Sequence, residues 1–254
     1  MIYDADEYAR LRNAVLGVSL IAWIVILVEP RASPCCAVGG SWFSLKLLLA
    51  ANPPLLLARD WVLMLIAMMS PMLVPALYHI RISSFVSRRL RSTALFALSY
   101  GALWMAAGTV LLAMKLAATW LAPRSYFPAI VVGFVVVAWQ ASPFKQRCLN
   151  RCHYHRPLAA FGTAADWDVV RFGLEQGVWC ASSCWAAMLF PLLLPDGHLL
   201  AMAAVSILMF CERLDPPRTP SWGWRGFGTA FSYLMRRLRG PRSGPAPWTP
   251  LVQS

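Results

Sequence analysis

The sequence predicts an all-α fold: a polytopic membrane bundle of six transmembrane helices with both termini cytoplasmic. Three observations carry this expectation. Only 13% of the 254 residues are charged and 59% are hydrophobic, with a mean hydropathy of +0.56, whereas soluble domains carry about 25% charged residues. Long uncharged runs recur along the chain, as spans require. The basic residues also sort onto alternate connections: eighteen of the 23 Lys and Arg fall on the N-terminus, the second and fourth connections and the tail. Lipid excludes charge and cytoplasmic loops collect Arg and Lys, so both ends are expected inside.

The spans are expected in order at about 11–28, 61–80, 93–119, 128–141, 172–194 and 199–213. The first follows an acidic opening with Asp4, Asp6 and Glu7 and runs into Glu29-Pro30-Arg31. A cleavable signal has a basic start and a small-residue cleavage site, so this reads as a retained anchor. The outer segment that follows holds Cys35-Cys36 and a candidate interfacial stretch, Ser41–Ala51. The second span is rich in methionine and contains Pro71 and Pro75, which predict a kink. The third contains Lys115, which reaches outward along its own stem. The fourth and sixth are short against the roughly 17–25 residues a crossing needs, and Ser142–Phe144 extend the fourth. Residues 1–214 make one transmembrane domain. Residues 215–254 hold seven Pro and five Gly among many arginines and form a cytoplasmic tail, with an interfacial helix expected near 225–239.

The net charge of +12 does not point to nucleic acid, because the basic residues are dispersed over several loops instead of one face. No Walker loop, dinucleotide glycine fingerprint or Ser-His-Asp arrangement occurs, so a binding role is favoured over an enzymatic one.

Chemistry concentrates in the cysteines. Cys148 and Cys152 lie in a basic segment with His153 and His155, which could replace or supplement a sulfur as metal ligands, while Cys180 and Cys184 lie in the fifth span. An i, i+4 spacing puts both sulfurs of a pair on one helical face, with Cβ atoms roughly 5–6 Å apart. That is too far for a relaxed disulfide, which wants about 3.5–4.5 Å. It suits two ligands reaching for one soft ion, and thiolates bind Cu(I) and Zn(II). The connection carrying the first pair must fold back toward the membrane for the pairs to meet, and Pro143 and Pro157 permit that bend. The plainer reading is that cysteine is a common small buried residue; the repeated spacing weighs against it.

Met68, Met69 and Met72 add thioethers in the second span, as a relay for copper(I) or simply as packing filler. Glu175, five residues before Cys180, is a candidate for a metal or a proton path, since charge inside a span is costly. Glu212, beside Cys211, is expected at the cytoplasmic boundary, where charge is cheap.

The series Ala67-Met68-Met69-Ser70-Pro71-Met72, Ser142-Pro143-Phe144-Lys145…Cys148…Cys152, Gly177-Val178-Trp179-Cys180…Cys184-Trp185-Ala186 and Glu212-Arg213-Leu214 resembles a bacterial family of predicted metal-binding integral membrane proteins. The resemblance covers about residues 60–214. Ser183 stands where that family often has a further cysteine. The resemblance implies that the cysteine pairs act as a unit.

The expectation is therefore a soft-metal protein of the bacterial inner membrane. It would bind, buffer or transfer copper(I), with zinc as the second choice of ion, and serve a membrane enzyme or complex. Cys148, Cys152, Cys180 and Cys184 are the expected ligands. A membrane thiol oxidoreductase and a structural accessory subunit are the alternatives.

Overall fold

The computed structural model describes residues 4–28, 53–122, 125–224 and 235, and among these it contains helices and no strand. The chain forms α1 (Ala5–Val28), α2 (Pro54–Met69), a 3-10 turn (Ser70–Leu73), α3 (Val74–Ser83), a short 3-10 turn (Val86–Arg88), α4 (Arg89–Leu121), α5 (Phe127–Ala141), α6 (Pro143–Cys152), α7 (Gly162–Leu193) and α8 (His198–Arg213). Cys35, Cys36, the 41–51 stretch and, apart from Met235, the 225–239 helix lie outside the described residues.

Local chemistry sets the boundaries. The Asp4 carboxylate accepts the Asp6 and Glu7 amides at 3.0 and 3.1 Å and so caps α1. Pro71 and Pro75 lack the amide that a continuous helix needs, and between α2 and α3 the chain tightens into the 3-10 turn. Ser142 ends α5 in an extended conformation, as a residue before proline prefers. Its hydroxyl then accepts the Lys145 amide at 3.2 Å and starts α6. The axis turns 67° at this point.

Among the described residues four helical stretches are long and apolar enough to cross a membrane: Ala5–Val28, Pro54–Ser83, Val86–Leu121 and Gly162–Leu193; the bent pair α5–α6 is a fifth candidate. This differs from the six expected spans. The last, α8, has 16 residues, about 24 Å at 1.5 Å per residue, against a core of about 30 Å. The fourth stops at Ala141 because the Ser142-Pro143 bend redirects the chain.

The longest interface joins α4 and α7. Close backbone approach shapes it, since small residues let two apolar helices pack tightly. Gly173 and Gly177 provide it, one turn apart on α7. A Cβ at Gly173 would overlap the Ser99 hydroxyl and lie 2.9 Å from the Phe96 carbonyl, and one at Gly177 would lie 2.7 Å from Leu103. This packing sets Tyr100 of α4 against Cys180 of α7.

Several charged contacts gather at one end of the bundle. Glu7 pairs with Arg81 and Arg89, and Asp166 with Arg88 and Arg91. The start of α1, the α3–α4 connection and the start of α7 therefore share that end. The first tail residues return to the bundle: Gly223 donates to the Ala141 carbonyl at 3.1 Å, and Asn150 exchanges two hydrogen bonds with the Arg218 backbone.

Candidate metal centre

Both cysteine pairs are buried. Cys148 and Cys152 are 1% and 2% exposed on α6, and Cys180 and Cys184 are 5% and 4% exposed on α7. The bend at Pro143 turns α6 back onto α7, as the expected meeting of the pairs requires, and Gln176 of α7 fastens it by donating to the Cys152 carbonyl at 2.9 Å. All five cysteines among the described residues are free thiols. Cys180 and Cys184 lie one helical turn apart, and Cys152 lies near both Cys148 and Cys180.

Along α7 the Cys184 thiol donates to the Cys180 carbonyl at 3.0 Å, and Tyr100 donates its hydroxyl to Cys180 Sγ at 3.3 Å. The Arg213 guanidinium, at the end of α8, lies beside Cys152 and Cys180.

Met72 extends the sulfur set from the 3-10 turn, and Met209 from α8. Both line, with Cys180, Cys184, Glu212 and Arg213, a cavity of about 10 Å³, the space of about one small atom or water. Met68 and Met69 are buried in the same apolar cluster as the thiols but do not line the cavity. Among the described residues no group of three or more Cys, His, Asp or Glu side chains converges into a preformed chelate. The donors facing one space are thus two thiols and two thioethers, contributed by α7, the 3-10 turn and α8.

The other expected participants point elsewhere. His153 directs Nδ1 to the Leu149 carbonyl at 2.9 Å and Nε2 to the Arg213 carbonyl at 3.2 Å, so both ring nitrogens are engaged by backbone. His155 lies against His79, with ring centroids 5.2 Å apart. Burial, then the neighbouring His79 and Arg213, push its pKa down to about 4, and the ring is neutral at pH 7. Glu175 binds Arg156 and Arg171, each at 3.0 Å, with 41% of its side chain exposed. It is a surface ion-pair member, and its charge is satisfied away from the sulfurs.

The expected position of Glu212 is corrected. It is not a boundary charge: it is 2% exposed and its carboxylate meets the Lys145 ammonium at 2.8 Å. Gln140 donates to the same carboxylate and accepts from Lys145 Nζ at 2.5 Å. Burial at that depth is tolerated because each charge has an opposite partner and a further hydrogen bond.

Met209, Tyr100, Arg213 and the Lys145–Glu212 pair escaped the reading of the sequence. A methionine in an apolar helix carries no local signal, and Lys145 lies 67 positions from Glu212. The recurrence of Met202 and Met209 at seven residues, both buried, was the one usable hint.

The model of the family described as PpoB2, copper chaperone, matches residues 58–235, more than half of the chain. No curated protein and no solved structure matches.

Proposed function

The chain belongs to the PpoB2 family of copper chaperones, and on that premise we propose that it is a multi-pass membrane protein carrying copper(I) as cargo in the sulfur-lined cavity. The observation that carries this reading is the cavity itself: Cys180, Cys184, Met72 and Met209 face one buried space from three separate elements. Soft sulfur donors select Cu(I), and thioethers do so without adding charge. Binding requires thiolates, so loading releases protons. A cuprous ion with two thiolates leaves one net negative charge, which the Arg213 guanidinium beside the site balances.

Cys148 and Cys152, on the adjoining face of α6, offer two further thiols toward which the ion can move. Stepwise exchange between neighbouring sulfurs is how a chaperone keeps a tightly bound ion transferable. The recipient is a membrane enzyme or complex under assembly. The location is the inner membrane of a bacterium, with the basic end of the bundle in the cytoplasm: the long apolar helices supply the spans, and the sorting of Arg and Lys supplies the orientation.

The test is elemental analysis of anaerobically purified protein. Near-stoichiometric copper is expected in the wild type. It should be absent when Cys148, Cys152, Cys180 and Cys184 are all changed to Ser. Equal copper in both proteins sinks the reading, and zinc in place of copper changes the cargo.

A further inference from the structure

We propose that His79 and His155 form a second copper(I) station, a two-imidazole site distinct from the sulfur cavity. His79 lies near the end of α3 and His155 just beyond α6. Their ring centroids are 5.2 Å apart, and both rings pack on Phe172, at 5.7 and 5.9 Å.

The hydrogen bonds fix which nitrogens are available. His79 Nε2 lies 2.9 Å from the Arg156 carbonyl. A carbonyl only accepts, so Nε2 carries the proton and Nδ1 keeps its lone pair. His155 Nε2 is buried without a hydrogen-bond partner, while the ring's other nitrogen faces the His153 carbonyl. His79 therefore has its N–H held by backbone and Nδ1 free to donate, while His155 presents an unpartnered Nε2. Metal-bound histidines are held in this way, with the second nitrogen fixing tautomer and ring direction. Metal–imidazole bonds are about 2.0 Å long, so rings sharing one ion have centroids roughly 5–6 Å apart. The observed separation falls in that range before any ion is added.

The surroundings choose the ion. The pair is neutral and lies against a phenylalanine. Glu175 is already held by Arg156 and Arg171, and the Arg213 guanidinium adds a positive charge near His155. A divalent ion would keep its full charge uncompensated there, whereas a monovalent soft ion is satisfied by two neutral nitrogens. The connectivity also fits a relay. His79 follows Met72 by seven residues, about 10 Å at helical rise, and His155 follows Cys152 by three. The 3-10 turn that brings Met72 to the cavity thus continues to His79, and α6, which carries Cys148 and Cys152 beside it, continues to His155; the pair lies toward the basic end of the bundle. The proposal extends the sulfur-site reading but does not depend on it, because the two sites differ in donor atoms.

Cu(I) added anaerobically to the full chain in detergent, followed by X-ray absorption, separates them. A first, sulfur-bound equivalent and then a second, nitrogen-bound one are expected. His155→Phe and His79→Gln should each lose the nitrogen-bound copper and keep the sulfur-bound copper. The glutamine variant retains a donor for the Arg156 carbonyl and guards against simple misfolding. Changing Cys180 and Cys184 to Ser should do the reverse. Nitrogen-bound copper that persists in both histidine variants, or is missing from the wild type, overturns the proposal. Missing sulfur-bound copper overturns only the cavity reading.

Discussion

Lys145 and Glu212 form an ion pair at 2.8 Å with side chains 1% and 2% exposed, bridging the start of α6 to the end of α8 beside the sulfur cavity. The pair therefore ties the last helix to α6 beside the site, and breaking it leaves a buried charge without its opposite partner.

Lys145→Met should cost about 3–5 kcal/mol, because Glu212 is then buried without its cation. Thermal unfolding in detergent measures it. Adding Glu212→Leu should recover most of the loss, since an apolar replacement of both partners removes the stranded charge. An unperturbed melting temperature in the single variant would refute the pair's structural role.

Gly173→Ala should destabilise the α4–α7 interface by about 1–3 kcal/mol, since the new methyl meets Ser99 and the Phe96 backbone. Gly101→Ala, with nothing within 4 Å of the added carbon, should be neutral or should gain up to about 1 kcal/mol from helix propensity. Parallel unfolding curves decide whether close packing, and not glycine content alone, matters here.

Met72→Leu with Met209→Leu is nearly volume-conserving and should change stability by less than about 1.5 kcal/mol per site. Copper affinity should nevertheless fall at least about tenfold, the equivalent of about 1.4 kcal/mol. A competitive titration against a Cu(I) chelator reads this directly. Unchanged affinity would return both methionines to the role of packing filler.

The pH dependence of the metal-free protein follows from His155. Its pKa is about 4 in the folded chain, against 6.5 for an unperturbed imidazole, so the unfolded chain binds more protons between those values. Stability is therefore full above about pH 6.5 and is lost as pH falls through about 4, by at most about 3.4 kcal/mol. The slope should flatten in His155→Gln. Unfolding at pH 7 and pH 5 for both proteins makes the comparison, and identical slopes would remove His155 as the cause.

Much of this architecture was legible in residue order. Apolar length marked the helices, Pro71 and Pro75 marked the 3-10 break, and the i, i+4 spacing put each cysteine pair on one helical face. These are local properties, set by backbone sterics, by period and by the exclusion of charge from lipid. The arginine pattern likewise anticipated which connections share an end, as the Glu7 and Asp166 pairs show. The count of six spans did not emerge in the structure, because apolar composition does not reveal that the chain turns at Ser142-Pro143 or that α8 stops at 16 residues.

What the sequence by itself determined is the helical class, the places where helices begin and break, and the sulfur-rich character of the interior. Only the tertiary structure decided which sulfurs share a space. Met209 joins Cys180 and Cys184 because α8 packs across α7, whereas His153 is withdrawn from them by two carbonyls. The same packing turned Glu212 from a boundary charge into a buried partner of Lys145. The physical reason is range: helix periodicity and capping act over a few residues, whereas a buried charge or a soft donor takes its role from whichever group the folded chain sets within a few ångströms of it.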